Sequence, residues 1–382
     1  MSVWRRLLAL TPLILFSASA PAQIIGTEAE YAVIMDHDTG DILWSKNGDT
    51  PMTPASMTKM MTAYFVFDLI DQGEITLQDE MVVSEDAWRR GGFPSGTSTM
   101  GLRPKERPTV EQLLHGVIVM SGNDACIVLA EGIAGSEEAF AQQMTDRAHE
   151  LGLTSVNFVN STGLEGEGHV ASAADLAELA RLTIENYPQY YDWYDDPEYT
   201  WGAYTQANRN PLLGTMQGAD GLKTGHLDAS GYGLTGSAVR DGKRRIIVLN
   251  GTESKQARAQ EAERLMRMAF TAFETRTIQG GDKRLAELDV WMGERRTVGV
   301  QLQESLDVTA HKRAFSRGKT EIVHDRLIEA PISAGDQIAT LVVSIEGKDP
   351  IELPLVASED VPRLGFVGKA VEGLSRMMDG GA

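Results

Sequence analysis

Apolar and polar positions alternate in some stretches of the chain and recur at helical spacing in others. From Tyr31 to Trp44 the sequence reads Y-A-V-I-M-D-H-D-T-G-D-I-L-W, which predicts a strand, an Asp-Thr-Gly turn and a returning strand. Ser56 to Ile70 is apolar almost all round, as in a helix enclosed within a domain. Val110–Met120 and Asp124–Ile133 predict two further helices, broken at Ser121-Gly122-Asn123. Ala173–Glu185 predicts another, with Ser172 as its N-cap. The pattern then becomes β-rich. Gly231–Val239 and Arg244–Asn250 flank Asp241-Gly242, a strong hairpin signal, and Glu261–Phe273 returns to helical spacing. Strands from both ends around central helices predict one α/β (α+β) domain over residues 23–273. Short alternating runs between Leu288 and Val356 predict a small all-β domain over residues 274–358, with nothing in it that suggests chemistry.

The two ends differ from the middle. Met1-Ser-Val-Trp-Arg-Arg, a ten-residue apolar run and the small residues Ala20-Pro21-Ala22 form a secretory signal over residues 1–22. Its apolar run falls short of the roughly 20 residues a spanning helix needs, which disfavours an uncleaved anchor. At the other end, Leu364, Val367, Val371, Leu374 and Met378 fall on one stripe at 100° per residue, with Lys369, Glu372 and Arg376 opposite. Residues 359–382 are therefore expected to be an amphipathic tail lying on a membrane surface. The alternative is a helix packed on the β domain.

Charge and cysteine content narrow the classes. The formal net charge of −19 disfavours nucleic acid as a partner. Cys126 is the only cysteine, so no internal disulfide can form. Gly231-Tyr-Gly233-Leu-Thr-Gly236 matches a dinucleotide-binding pattern but runs into a strand rather than a helix, so these are strand glycines. The seven histidines show no metal-binding spacing, no G-x-S-x-G elbow is present, and neither a metal nor a cofactor is expected.

Three short motifs remain. Ser56 and Lys59 stand three apart in P-A-S-M-T-K-M-M-T, so a helix would place them on one face. A lysine among Met57, Met60 and Met61 is disfavoured in its charged form, and a neutral amine can take a proton from a serine hydroxyl. The alternative is a helix-start serine with a snorkelling lysine. Ser121-Gly122-Asn123 would aim a hydroxyl and an amide into one cleft, Ser121 to relay protons and Asn123 to hold a substrate amide. In Lys223-Thr224-Gly225 the lysine supplies charge, the threonine a hydroxyl, and the glycine room for a peptide backbone to approach.

Each triplet alone is weak. In this order, S-x-x-K, S-x-N and K-T-G resemble the set of the penicillin-recognising serine enzymes. With V-M-S-G-N-D-A-C and G-L-K-T-G-H-x-x-x-S-G-Y, the chain is similar over almost its whole length to the low-molecular-mass penicillin-binding proteins. More narrowly it resembles the D-alanyl-D-alanine carboxypeptidases of Gram-negative bacteria, although Thr53 precedes Pro54 where an acid would be expected. The resemblance implies that Ser56 attacks the carbonyl between two D-alanines of a peptidoglycan stem pentapeptide. Lys59 is the implied base, kept neutral by Lys223, and Ser121 the proton donor to the leaving amine. Backbone N–H groups of Ser56 and His226 form the implied oxyanion hole, and β-lactams acylate Ser56. Lys223, Thr224, Ser121 and Arg258 are candidates for the terminal carboxylate; a solvated helix arginine is the alternative for Arg258. The implied location is the periplasm, with the tail on the outer face of the inner membrane. A β-lactamase, a DD-endopeptidase and a catalytically weak wall-binding morphology protein are the rival functions.

Overall fold

The computed structural model describes residues 26–325 and 328–366; the proposed signal and residues 367–382 of the proposed tail lie outside them. Strands β1 (Tyr31–Asp36) and β2 (Ile42–Lys46) form the expected first hairpin. Strands β5 (Ala219–Leu227), β6 (Gly231–Arg240) and β7 (Lys243–Thr252) come from the far end of the domain, and the antiparallel sheet runs β2-β1-β7-β6-β5. The two ends of this domain thus meet at the β1–β7 pairing, with Ile34 opposite Ile247. Asp241 and Gly242, both at positive φ, turn β6 into β7 as the Asp-Gly pair predicts.

Both faces of the sheet are covered, which explains the unbroken apolar run in β1. Val33, Met35, Ile246 and Val248 face a helical layer, while Ala32, Ile34, Ile247 and Leu249 face helix α8 (Lys255–Thr271). The helical layer contains α1 (Lys59–Asp71), α2 (Glu85–Gly91), α3 (Val110–Ile118), α4 (Asn123–Ala134), α5 (Glu137–Glu150), α6 (Ala173–Asn186) and the short α7 (Pro188–Tyr191). A hairpin of β3 (Glu198–Trp201) and β4 (Tyr204–Ala207) closes it. Ser172 caps α6 as expected, accepting from Asp175 N at 3.0 Å. Helix α8 begins six residues before its predicted start. Ser254 caps it by accepting from Ala257 N, and its exposed polar first turns hide the helical period.

The all-β expectation holds for the second unit apart from one short helix. A six-stranded sheet of order β12-β14-β15-β10-β9-β13 is built from β9 (Ala286–Trp291), β10 (Thr297–Gln301), β12 (Lys319–Val323), β13 (Ile328–Glu329), β14 (Gln337–Ser344) and β15 (Ile351–Ala357). It packs with the pair β8 (Phe273–Ile278) and β11 (Leu306–His311) around a separate apolar core; the short helix is α9 (Lys312–Arg317). Residues 359–364 depart from the expected tail. Val361 is buried in this core, and Leu364 N donates to Met292 O at 2.8 Å.

Candidate active site

Ser56 and Lys59 do not share one α-helix. Ser56 lies on a single 3-10 turn, Ala55–Thr58, and Lys59 opens α1. A 3-10 turn has three residues per revolution, which brings positions i and i+3 into line. Lys59 Nζ accordingly lies 3.1 Å from Ser56 Oγ. Ala55, just before the serine, holds φ at +49°, a left-handed conformation that costs on the order of 1–3 kcal/mol and kinks the entering chain. Two glycines clamp this turn. A Cβ on Gly163 would lie 1.9 Å from Ala55 O, and one on Gly225 would lie 2.8 Å from Pro54 O. Gly225 thus lets the protein's own backbone before Ser56 approach β5.

Lys59 is 1% exposed. Its amine also lies 2.7 Å from Asn123 Oδ1 and against the carbonyl of Thr162. Both are pure acceptors. A neutral amine can donate its two hydrogens to them and turn its lone pair to the Ser56 hydroxyl. Burial first, and the Arg209 guanidinium among the surrounding charges, bring the Lys59 pKa down to about 8. Lys223 is also buried, and its pKa falls well below the usual lysine range through burial, then through Lys59 and Arg209. Lys59 and Lys223 thus disfavour each other's charged form, the like-charge repulsion expected between them, and Arg209 adds to it on both.

The remaining motif residues arrive from three directions. Ser121, between α3 and α4, holds φ at +58°, and its buried hydroxyl has no hydrogen-bond partner among the described residues. Asn123 opens α4. Its oxygen accepts from Lys59 and its amide nitrogen donates one hydrogen to Thr97 Oγ1 at 2.9 Å. The edge strand β5 carries Lys223, Thr224, Gly225 and His226. The His226 ring stacks on the Tyr232 ring at 3.8 Å, and the Arg258 guanidinium of α8 lies 5.9 Å from the Tyr232 ring. Arg258 is buried rather than solvated, and its Nε lacks a partner among the described residues.

These groups surround one cavity of about 460 Å³, lined by Ser56, Ser121, Thr224, Gly225, His226 and Arg258. Arg209, Ser98, Tyr232 and Lys255 complete its lining. The lining contains no acid, so the cavity is basic in a chain of net charge −19 and suits a carboxylate. Arg209, which donates to Ser98 Oγ and to Gln206 Oε1, escapes sequence reasoning. It sits in a turn-rich stretch without periodicity and has no motif to mark it. Cys126 is buried with its thiol pKa pushed up to about 12 by burial, which leaves it an inert packing group.

A sheet covered on both faces, with a serine–lysine pair beside its edge strand, defines a serine hydrolase of the penicillin-recognising class. A sequence profile described as D-alanyl-D-alanine carboxypeptidase matches residues 16–254, and one described as the C-terminal domain of penicillin-binding protein 5 matches residues 273–363. The chain belongs to the D-alanyl-D-alanine carboxypeptidase family of low-molecular-mass penicillin-binding proteins. It is 35% identical to the D-alanyl-D-alanine carboxypeptidase DacF of Bacillus subtilis (strain 168), over 89% of this chain and 87% of that one. The D-alanyl-D-alanine carboxypeptidase DacD from Francisella tularensis superposes with a TM-score of 0.76 at 30% identity, over 93% of this chain and 98% of that one. Penicillin-binding protein D2 from Listeria monocytogenes, in its ampicillin-bound form, matches 65% of this chain and 99% of its own at 29% identity and a TM-score of 0.57.

Proposed function

We propose that the protein is a serine-type D-alanyl-D-alanine carboxypeptidase that removes the terminal D-alanine from peptidoglycan stem pentapeptides. The observation that carries this is the buried Lys59 amine, 3.1 Å from Ser56 Oγ, with its other two contacts made to pure acceptors. Neutral Lys59 takes the Ser56 proton as Oγ attacks the carbonyl between the two D-alanines. The backbone N–H groups of Ser56 and His226 receive the oxyanion. The Ser121 hydroxyl, without a partner among the described residues, relays the proton taken by Lys59 to the departing D-alanine amine, and water then cleaves the acyl-enzyme ester. Lys223, Thr224 and Arg258 hold the terminal carboxylate; Arg258 brings a planar fork suited to that group. Asn123 keeps the Lys59 amine in place. A β-lactam, whose ring amide stands in for the scissile bond, acylates the same Ser56. No cofactor enters the scheme.

Residues 23–273 form the peptidase unit in this proposal and 274–358 the β unit. The signal at 1–22 supports export to the periplasm, and the apolar stripe of the tail supports peripheral attachment to the outer face of the inner membrane. Among the described residues no helix is long and apolar enough to cross a membrane. Incubation with a stem pentapeptide should release free D-alanine, and Ser56→Ala should abolish both this release and covalent penicillin labelling. Labelling that persists at another residue rejects Ser56 as nucleophile. Deleting residues 367–382 should move the mature protein from the membrane to the soluble fraction with its activity on soluble pentapeptide retained. A full-length mature form that is already soluble rejects the anchor.

A further inference from the structure

One buried carboxylate near the site has no part in the scheme above. Glu137, at the start of α5, is 4% exposed. It does not cap its own helix, because Ser136 does so by accepting from Ala139 N at 3.1 Å. A buried carboxylate is costly unless charge and hydrogen bonds compensate it. Glu137 obtains both from outside α5. Arg90 of α2 pairs with Oε2, and Oε1 accepts from Ser161 N at 3.1 Å and from Ser161 Oγ at 2.8 Å.

Ser161 belongs to a short loop that grips α1 at two points one turn apart. The Ser161 carbonyl accepts from Thr62 Oγ1 at 2.6 Å, and the next carbonyl, that of Thr162, accepts from the Lys59 amine. Asn160 Oδ1 folds the loop by accepting from Thr162 N and Gly163 N, and Asn160 Nδ2 donates to Leu164 O. Gly163 then packs directly on the Ala55 carbonyl, beside Ser56. A displacement of this one loop would loosen both members of the Ser56–Lys59 pair.

We infer that Glu137 is a positioning residue for the reaction, holding the loop 160–164 so that the Thr162 carbonyl fixes the Lys59 amine against Ser56. The inference rests on the Ser56–Lys59 function proposed above. Glu137 acts in two separable ways. Its hydrogen bonds to Ser161 set geometry, and its negative charge favours the protonated form of Lys59. The other groups acting on that amine are Cys126 and Asp124 from α4, Arg209 from the rim, and Lys223 and His169, which face it from β5 and from the chain before α6. Glu137→Gln removes the charge and retains an acceptor for Ser161, whereas Glu137→Ala removes both.

The test is the rate of acylation of the full chain by a chromogenic penicillin, followed from acid to alkaline pH alongside thermal unfolding. Glu137→Ala should lower the alkaline plateau by about 10- to 100-fold, the scale of a misplacement near 1 Å. Glu137→Gln should lower it by less than about tenfold and move the acid limb to lower pH, which a purely structural role would not do. Should Glu137→Ala fail to fold, Ser161→Ala removes one of the two donors and should lower the plateau several-fold with the acid limb in place. Glu137 variants that fold and keep both plateau and acid limb overturn the inference and leave the Ser56–Lys59 function intact. Wild-type protein that is not acylated, or Lys59→Ala acylated at the wild-type rate, overturns both.

Discussion

The two structural units bury polar groups very differently. The peptidase unit encloses Lys59, Asn123, Asp124, Glu137, Lys223 and Arg258, among others, while Thr309 is the one buried polar side chain among the described residues of the β unit. Thr309 itself serves the boundary. Its hydroxyl donates to Asp36, which pairs with Arg245 at 2.9 Å, and Arg245 reaches Thr275 at 3.1 Å. Around this latch, Lys243 meets Asp307 at 2.8 Å and Lys348 meets Asp41 at 2.6 Å. Each buried polar group needs a partner to offset its desolvation. A unit that carries only an apolar core can therefore be stable without any such network. The peptidase unit retains many such groups, and Ser121, Thr224 and Arg258 among them line one cavity, which is where a stable fold has been given chemistry.

The sharpest way to break that contrast is at Lys59. Lys59→Arg keeps the positive charge but cannot shed its proton, so acylation should fall by about 10²- to 10⁴-fold, measured as the rate of penicillin labelling. Retention of most of the rate would make Lys59 a structural group and equalise the two units. Next in size is pH. Lys59 acts only when neutral, and its pKa is lowered to about 8, so acylation should rise with pH and level off above that value. Below it the rate should drop about tenfold per pH unit, because the neutral fraction does. A pH-independent rate between 6 and 9 contradicts the assignment of the base. The smallest effect belongs to the boundary. Thr309→Val leaves Asp36 with Arg245 but removes one hydrogen bond at a buried carboxylate, and should cost about 1–3 kcal/mol in urea unfolding. Its acylation rate should match the wild type; a marked loss would show that the β unit helps to shape the site.

Much of the fold was legible along the chain because its signals are local. Apolar runs broken by Asp241-Gly242 define a hairpin whatever surrounds it, and Ser172 caps α6 through its own neighbours three residues on. The start of α8 was not, since Lys255 to Gln260 show no apolar period and only Ser254 marks the cap. The motif residues Ser56, Ser121 and Lys223 could be singled out by residue type and order; the fold brings Ser56 and Ser121 into the lining of one cavity and buries Lys223 beside Thr224, which also lines it.

What those side chains face was decided by tertiary structure. The carbonyl of Thr162 and the amide of Asn123 reach Lys59 from more than 60 residues away along the chain. Gly225 meets Pro54, Arg209 reaches the rim, and Glu137 holds the loop behind the base. Thr162, Arg209 and Glu137 carry no pattern of their own. The type and spacing of residues determine local backbone and candidate chemistry, because both depend on a few neighbouring bonds. The protonation and aim of the lysine depend instead on desolvation and on acceptors supplied by distant segments, and those exist only once the chain has closed around them.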